Sequence, residues 1–333
     1  MPDIQSIAAL VGGLILLGVA GEFLVGGAVS LGRRIGVSPL VAGIFIVGFG
    51  TSAPEMLVAV DAAIKGYPEL AQGNIVGSNI ANVWLVLGLP AIFAPLMCGG
   101  FGEKRSLTAM LIATCVWIII GATIPLHAGI GAAFILGLIG YAVYTFVSAS
   151  RAKARGIDIG LEEDAPYSSL WQTLVFVAIG IVGLPLGAHF IVTGGVEVAD
   201  ALGIPDYVIG LTLIAVGTSL PELGAAVAAV RGGNSSVIIG NVLGSNIFNI
   251  LGAGGLVALF SGAADPPVRM AESFQRYDHW AMGAAALTIA LFILPKRPVT
   301  RLAGVLLLLV YALYIYGLTQ GWNILALFAG GNG

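Results

Sequence analysis

Apolar runs of about 20 residues recur along the whole of this chain, and each is long enough as a helix to cross roughly 30 Å of hydrocarbon. That feature excludes most folds. Of 333 residues, 58% are hydrophobic and only 9% charged, with a mean hydropathy of +1.01. Soluble domains carry nearer a quarter charged residues. The sequence therefore reads as an all-α polytopic membrane protein. Ten spans are predicted, at 6–31, 39–64, 70–96, 107–125, 128–149, 170–199, 206–230, 235–260, 280–295 and 299–318. The N-terminal MPDIQSIAAL has no basic segment and carries Asp3, so it reads as the start of the first span rather than a cleaved signal. Cys98 and Cys115 lie in or beside apolar segments and read as small hydrophobes.

The basic residues set an orientation. If the connections are numbered alternately, one side collects Arg33, Arg34, Lys104, Arg105, Arg151, Lys153, Arg155, Arg231, Lys296, Arg297 and Arg301. The other has Lys65, Arg269 and Arg276, a bias of 11 against 3. The richer side is expected to be cytoplasmic, in the cell membrane, with both termini outside.

One polar cluster interrupts the second span: GFGTSAPE at 48–55. It returns 167 residues later as AVGTSLPE at 215–222, and GNIVGSNIAN at 73–82 returns at the same offset as GNVLGSNIFN at 240–249. Between 48–88 and 215–255, 17 of 41 positions are identical without a gap, including Thr, Ser, Pro, Glu and Asn. This is an internal duplication. Each copy holds five spans, an odd number, so the second begins on the opposite membrane face. The expectation is an inverted-topology repeat, 1–149 and 170–333, joined by a polar cytoplasmic linker at 150–169. Within the linker, the acidic run 162–164 reads as solvated loop, with a weak cation-sensing patch as the alternative.

Pro54 and Pro221 lack an amide hydrogen, and Gly48, Gly50 and Gly217 weaken the helix around them. The second and seventh helices are therefore expected to break, freeing carbonyl oxygens that only protein or a cavity can cover. Those carbonyls, with Thr51, Ser52, Thr218 and Ser219, are hard neutral ligands, and Glu55 and Glu222 add charge. Ser78 and Asn82, four residues apart, share a helix face, as do their mates Ser245 and Asn249. Asn74 and Asn241 lie one turn earlier. Gly, Ser and Asn in membrane helices also serve close packing and interhelical hydrogen bonds. An intramembrane carboxylate just after a proline, twice at equivalent positions, has no such packing use. The donor set is all oxygen, which suits calcium or sodium rather than metals that seek thiolate or imidazole.

The paired motifs GTSAPE…GNIVGSNIAN and GTSLPE…GNVLGSNIFN resemble the two α-repeats of the cation/Ca2+ exchanger superfamily, most closely its prokaryotic sodium/calcium exchanger branch. The resemblance covers both halves. It implies ten helices in two inverted repeats and a secondary antiporter, not an enzyme, exchanging Ca2+ against Na+ by alternating access. It places calcium on Glu55 and Glu222 with backbone carbonyls of Thr51 and Thr218. Sodium would draw on Ser52, Ser78, Ser219 and Ser245 with carbonyls of Gly48 and Ala215, and Asn82 and Asn249 would complete the ring. Some members carry Asp at the position of Asn249; the Asn here argues against a potassium requirement. The substrates implied are Ca2+ and Na+ in a lipid bilayer, with no cofactor, nucleic acid or obligate protein partner. A Ca2+/H+ or other cation/proton antiporter is the alternative, and a cation channel a more distant one.

Outside the ring, Glu22 aligns with His189 and Ser30 with Glu197 across the duplication. Glu22 and His189 are expected to hydrogen-bond neighbouring helices; the alternative, implied by the resemblance, is that they tune the sliding of these two helices past the core. Asp61 and Lys65 are spaced for a local ion pair. Trp84, Trp117, Trp171, Trp280 and Trp322 are expected near span ends or packing faces, and His127 and His279 in outer connections.

Overall fold

The computed structural model describes residues 3–160, 166–202, 215–261, 269–270 and 274–322. Ten helices run through them: α1 (Ile4–Ile35), α2 (Pro39–Ile64), α3 (Pro68–Phe93), α4 (Glu103–Thr123), α5 (Ala128–Ala154), α6 (Leu170–Ala201), α7 (Leu220–Arg231), α8 (Ser235–Phe260), α9 (His279–Ile293) and α10 (Arg301–Thr319). All but α7 and α9 have the length and apolar character to cross a bilayer. No strand occurs among the described residues; one antiparallel bridge, Leu96 with Val299, ties two connections together. Residues 206–214 of the expected seventh span lie outside the described residues.

The packing follows from small residues. A Cβ on Gly13 would lie 2.9 Å from the Ile191 nitrogen, and one on Gly180 would lie 2.8 Å from the Leu24 Cα. Contact positions rise along α1 as they fall along α6, so these helices run antiparallel with backbones touching. Each has 32 residues, about 48 Å at 1.5 Å per residue, so both tilt in a bilayer. Helices α2 and α8 also meet through glycine: a Cβ on Gly43 would lie 2.5 Å from the Val237 carbonyl, and one on Gly244 would lie 2.8 Å from the Ile44 Cα. Those positions rise together, so α2 and α8 run parallel. Helices α3 and α8 are the most enclosed, with 78% and 83% of their apolar windows buried, against 17% for α5. The centre of the bundle is therefore built from the duplicated motifs.

Two expectations are corrected here. Helix α2 does not break: it passes from a wide π-helical stretch, Gly43–Gly48, straight into Phe49–Ile64 with Pro54 inside. One proline removes one backbone bond, and the wider turns just upstream absorb the ring. The seventh helix does break, between the single turn Ala215–Gly217 and Leu220–Arg231. Pro221 there sits in the first turn, where no amide partner is needed. Trp84 and Trp117 are 5% and 0% exposed and lie on packing faces, as expected, with the Trp117 ring tilted against Phe134 and over Gly254. His279 is also buried, at the head of α9 rather than in a connection.

Candidate functional site

Glu55 and Glu222 are both buried at the centre of the bundle, 3% and 0% exposed, one on each half of the chain. Glu55 Oε1 accepts from Ser78 Oγ at 2.9 Å and its Oε2 from Asn249 Nδ2 at 3.2 Å. Glu222 Oε1 accepts from Ser52 Oγ at 3.1 Å. Residues from α2, α3, α7 and α8 thus converge across the duplication. Asn74 Nδ2 donates to the Glu55 carbonyl at 3.0 Å, and its mate Asn241 donates to the Glu222 carbonyl at 3.4 Å. These two asparagines fix the backbone behind each carboxylate. The Gly48 carbonyl accepts from Thr51 Oγ1 and Ser245 Oγ, both at 3.4 Å. Asn82 opens a π-helical stretch in α3, and Asn249 lies in the equivalent stretch of α8. Such bulges turn a side chain out of the regular ladder and recur at functional sites.

Five buried polar atoms in this cluster have no hydrogen-bond partner among the described residues: Asn82 Nδ2 and Oδ1, Ser219 Oγ, Glu222 Oε2 and Asn249 Oδ1. A buried polar atom left without a partner costs about 1–3 kcal/mol, and four of these five are oxygens. Asparagine and serine beside two carboxylates offer a hard cation the donors it needs. No group of three His, Cys, Asp or Glu side chains occurs among the described residues. The chemistry on offer is neutral oxygen plus two negative charges.

Two cavities of about 320 Å³ each reach this cluster. One is lined by Glu55, Val58, Pro185, His189 and Thr218, the other by Asn74, Ser78, Thr218 and Tyr314. Thr218, at the break before α7, borders both and is exposed, whereas its mate Thr51 is fully buried. Both cavities are lined from the halves of α2 and α3 nearer Lys65. Toward the opposite end, the backbone contacts of Gly43 and Gly244 close α2 against α8. Ala215 opens the turn before Thr218; its side chain is outside the described ones.

The sequence matches the sodium/calcium exchanger protein family over residues 5–149 and 172–320. The chain belongs to that family. It is 30% identical over 338 residues to the sodium/calcium exchanger MaX1 of Methanosarcina acetivorans, covering 91% of this chain and 95% of that protein. It is 33% identical over 310 residues to an uncharacterized membrane protein, MJ0091, of Methanocaldococcus jannaschii, covering 93% and 96%. Its fold matches the sodium-calcium exchanger NCX_Mj, soaked with zero Na+ and Ca2+, at a TM-score of 0.78 and 31% identity over 95% of this chain and 99% of that one.

Elsewhere in this exchanger-family chain, Glu22 pairs with Arg231 at 2.9 Å, joining α1 to the end of α7. Its mate His189 is exposed to the first cavity and packs beside Phe190. Glu197 accepts from Ser6 at 2.5 Å, and Asp61 pairs with Lys65 at 2.7 Å on the surface. His127 caps α5, accepting from the Gly129 amide. Both cysteines are free. The acidic run 162–164 lies outside the described residues. Sequence reasoning missed Asp278, buried beside the second cavity; it has no mate in the duplication, which was the signal used to find the others.

Proposed function

We propose that this protein is a secondary antiporter that exchanges Ca2+ against Na+ across the cell membrane, at a single site shared by Glu55 and Glu222. The observation that carries this reading is the pair of buried carboxylates, one from each copy of the motif, among oxygens that lack protein partners. Calcium would be held by those carboxylates and by carbonyls of Thr51 and Thr218. Sodium would use Ser52, Ser78, Ser219 and Ser245 with the carbonyls of Gly48 and Ala215, and Asn82 and Asn249 close the ring. The two five-helix units, 1–149 and 170–333, form an inverted repeat linked at 150–169. The antiparallel run of α1 against α6, equivalent helices of the two units, supports it. The Lys65 end faces outward, because the basic residues collect at the other end. The conformation described is then open outward through two cavities and shut inward. A carrier suits such a site better than a channel, since tight divalent chelation opposes fast conduction.

The test is 45Ca uptake into proteoliposomes under an imposed Na+ gradient and, separately, an H+ gradient. Uptake driven by outward Na+ alone is the expected result. Uptake driven by H+ alone would replace sodium with protons as counter-ion, and uptake with neither gradient at conductive rates would replace the carrier with a channel.

A further inference from the structure

The second cavity carries a charge that the central site does not use. Asp278, at the head of α9, is 8% exposed, and its Oδ1 accepts from the Tyr314 hydroxyl at 2.8 Å. Tyr277 in turn donates to the Tyr314 carbonyl at 3.1 Å, and Tyr311 lines the same cavity. At the 167-residue offset, Asp278 corresponds to Leu111 and Tyr314 to Val147, so the duplication did not supply this group. The cavity runs from Asp278 to Ser78, whose hydroxyl donates to Glu55. Asp278 is the one carboxylate among the described lining residues, and no basic side chain joins it there. A volume of about 320 Å³ has room for roughly ten waters at liquid density, so a cation fits with part of its hydration shell. A carboxylate lining a low-dielectric cleft raises the local concentration of cations.

We propose that Asp278, with the tyrosine oxygens around it, is a second station for hard cations, occupied on the way between the outer solution and Glu55. The competing role is mechanical, with Asp278 serving only to tie α9 to α10 through Tyr314. The two differ in what each substitution removes. Asp278→Asn removes the charge and keeps a hydrogen-bonding side chain; Tyr314→Phe removes the tie and keeps the charge.

The station rests on the exchange reading for its ion class, so the first measurement is made without transport. Terbium(III), a hard cation of calcium's size, is titrated into the purified full-length protein in detergent, and tyrosine-sensitised emission is recorded. With the central pair disabled by Glu55→Gln and Glu222→Gln, emission should persist. Adding Asp278→Asn should cut it at least tenfold, Asp278→Glu should restore it, and Tyr314→Phe should leave more than half. Emission unchanged by Asp278→Asn would overturn the station, and so would an equal loss in Tyr314→Phe, which would assign Asp278 to anchoring. In proteoliposomes, Asp278→Asn should then raise the KM for calcium about tenfold from the cavity side only, with maximal flux within twofold of wild type. A change of equal size from both sides would also refute the proposal. Failure of the exchange reading itself would show differently, as wild-type protein with terbium emission but no counter-ion-driven flux.

Discussion

Glu55 and Glu222 are surrounded by amide and hydroxyl groups, with no basic side chain among their hydrogen-bond partners. A carboxylate at the centre of a bilayer costs several kcal/mol, and on the proposed exchange reading a bound cation balances the pair. Replacing either by Gln removes one charge and leaves the shape. A lost charged contact is worth about 3 kcal/mol, or roughly a hundredfold in affinity. Glu55→Gln and Glu222→Gln should each abolish calcium flux while the purified protein still runs as a folded species on size exclusion; near-normal flux in either would sink the shared site. Asn249→Asp exchanges a donor at 3.2 Å from Glu55 for a third carboxylate. Like charges in a low-dielectric site disfavour joint ionisation, so protons compete and flux should fall more steeply as pH drops. Superimposable pH profiles for wild type and variant would return Asn249 to a packing role. Cys98, in the connection after α3, behaves differently: burial, with the Glu103 carboxylate adding to it, pushes its thiol up to about 12. At pH 8 only about one in ten thousand such thiols is ionised, so Cys98 should resist maleimide in the folded protein and react on unfolding.

Between elements, the contacts fall into two kinds. Glycine seams at Gly13, Gly180, Gly43 and Gly244 bring backbones together with no room for a methyl group. Gly43→Ala would push on the Val237 carbonyl, which side-chain rotation cannot relieve. Overpacking of this kind costs about 1–3 kcal/mol, and the expected result is a lower melting temperature in detergent with calcium binding retained in the folded fraction. The Glu22–Arg231 pair is of the other kind, a surface contact between α1 and α7 with both side chains more than half exposed. Exposed pairs contribute about 0.2–1 kcal/mol. Glu22→Gln should therefore change exchange rate by less than about fivefold and leave calcium affinity untouched. A loss as deep as that of Glu55→Gln would mean that the pair belongs to the transport cycle rather than to the resting contact.

At the scale of the whole molecule, one Ca2+ neutralises two carboxylates, whereas three Na+ leave the site about one charge positive. With three-for-one exchange the cycle moves net charge, and each elementary charge crossing 100 mV is worth roughly 2.3 kcal/mol. Flux in vesicles clamped with potassium and valinomycin should then change with voltage; flux indifferent to voltage would indicate two-for-one exchange. Most of this architecture was legible in the sequence because hydrocarbon imposes length and the duplication imposes correspondence. The second span, 39–64, is α2 (Pro39–Ile64) without adjustment. The ring residues Ser52, Ser78 and Asn249 touch the glutamates because the offset named them in pairs. What stayed hidden lacks a partner in the repeat or depends on neighbours. Asp278, for one, has only Leu111 as its counterpart. Pro54 carries the same local signal as Pro221, and nothing in the hexapeptide around it says which one interrupts a helix.

That last point has a mechanical meaning. GTSAPE and GTSLPE are near-copies, yet one is wound without a break and borders one cavity, while the other is interrupted and borders both. Their backbones are two settings of a single code, chosen by surroundings rather than by residues. To carry a two-state population from one extreme to the other takes about 5.5 kcal/mol of bias. On the proposed reading, a divalent ion gains or loses a pair of carboxylates in each cycle, so the cargo itself would be heavy enough to throw the toggle.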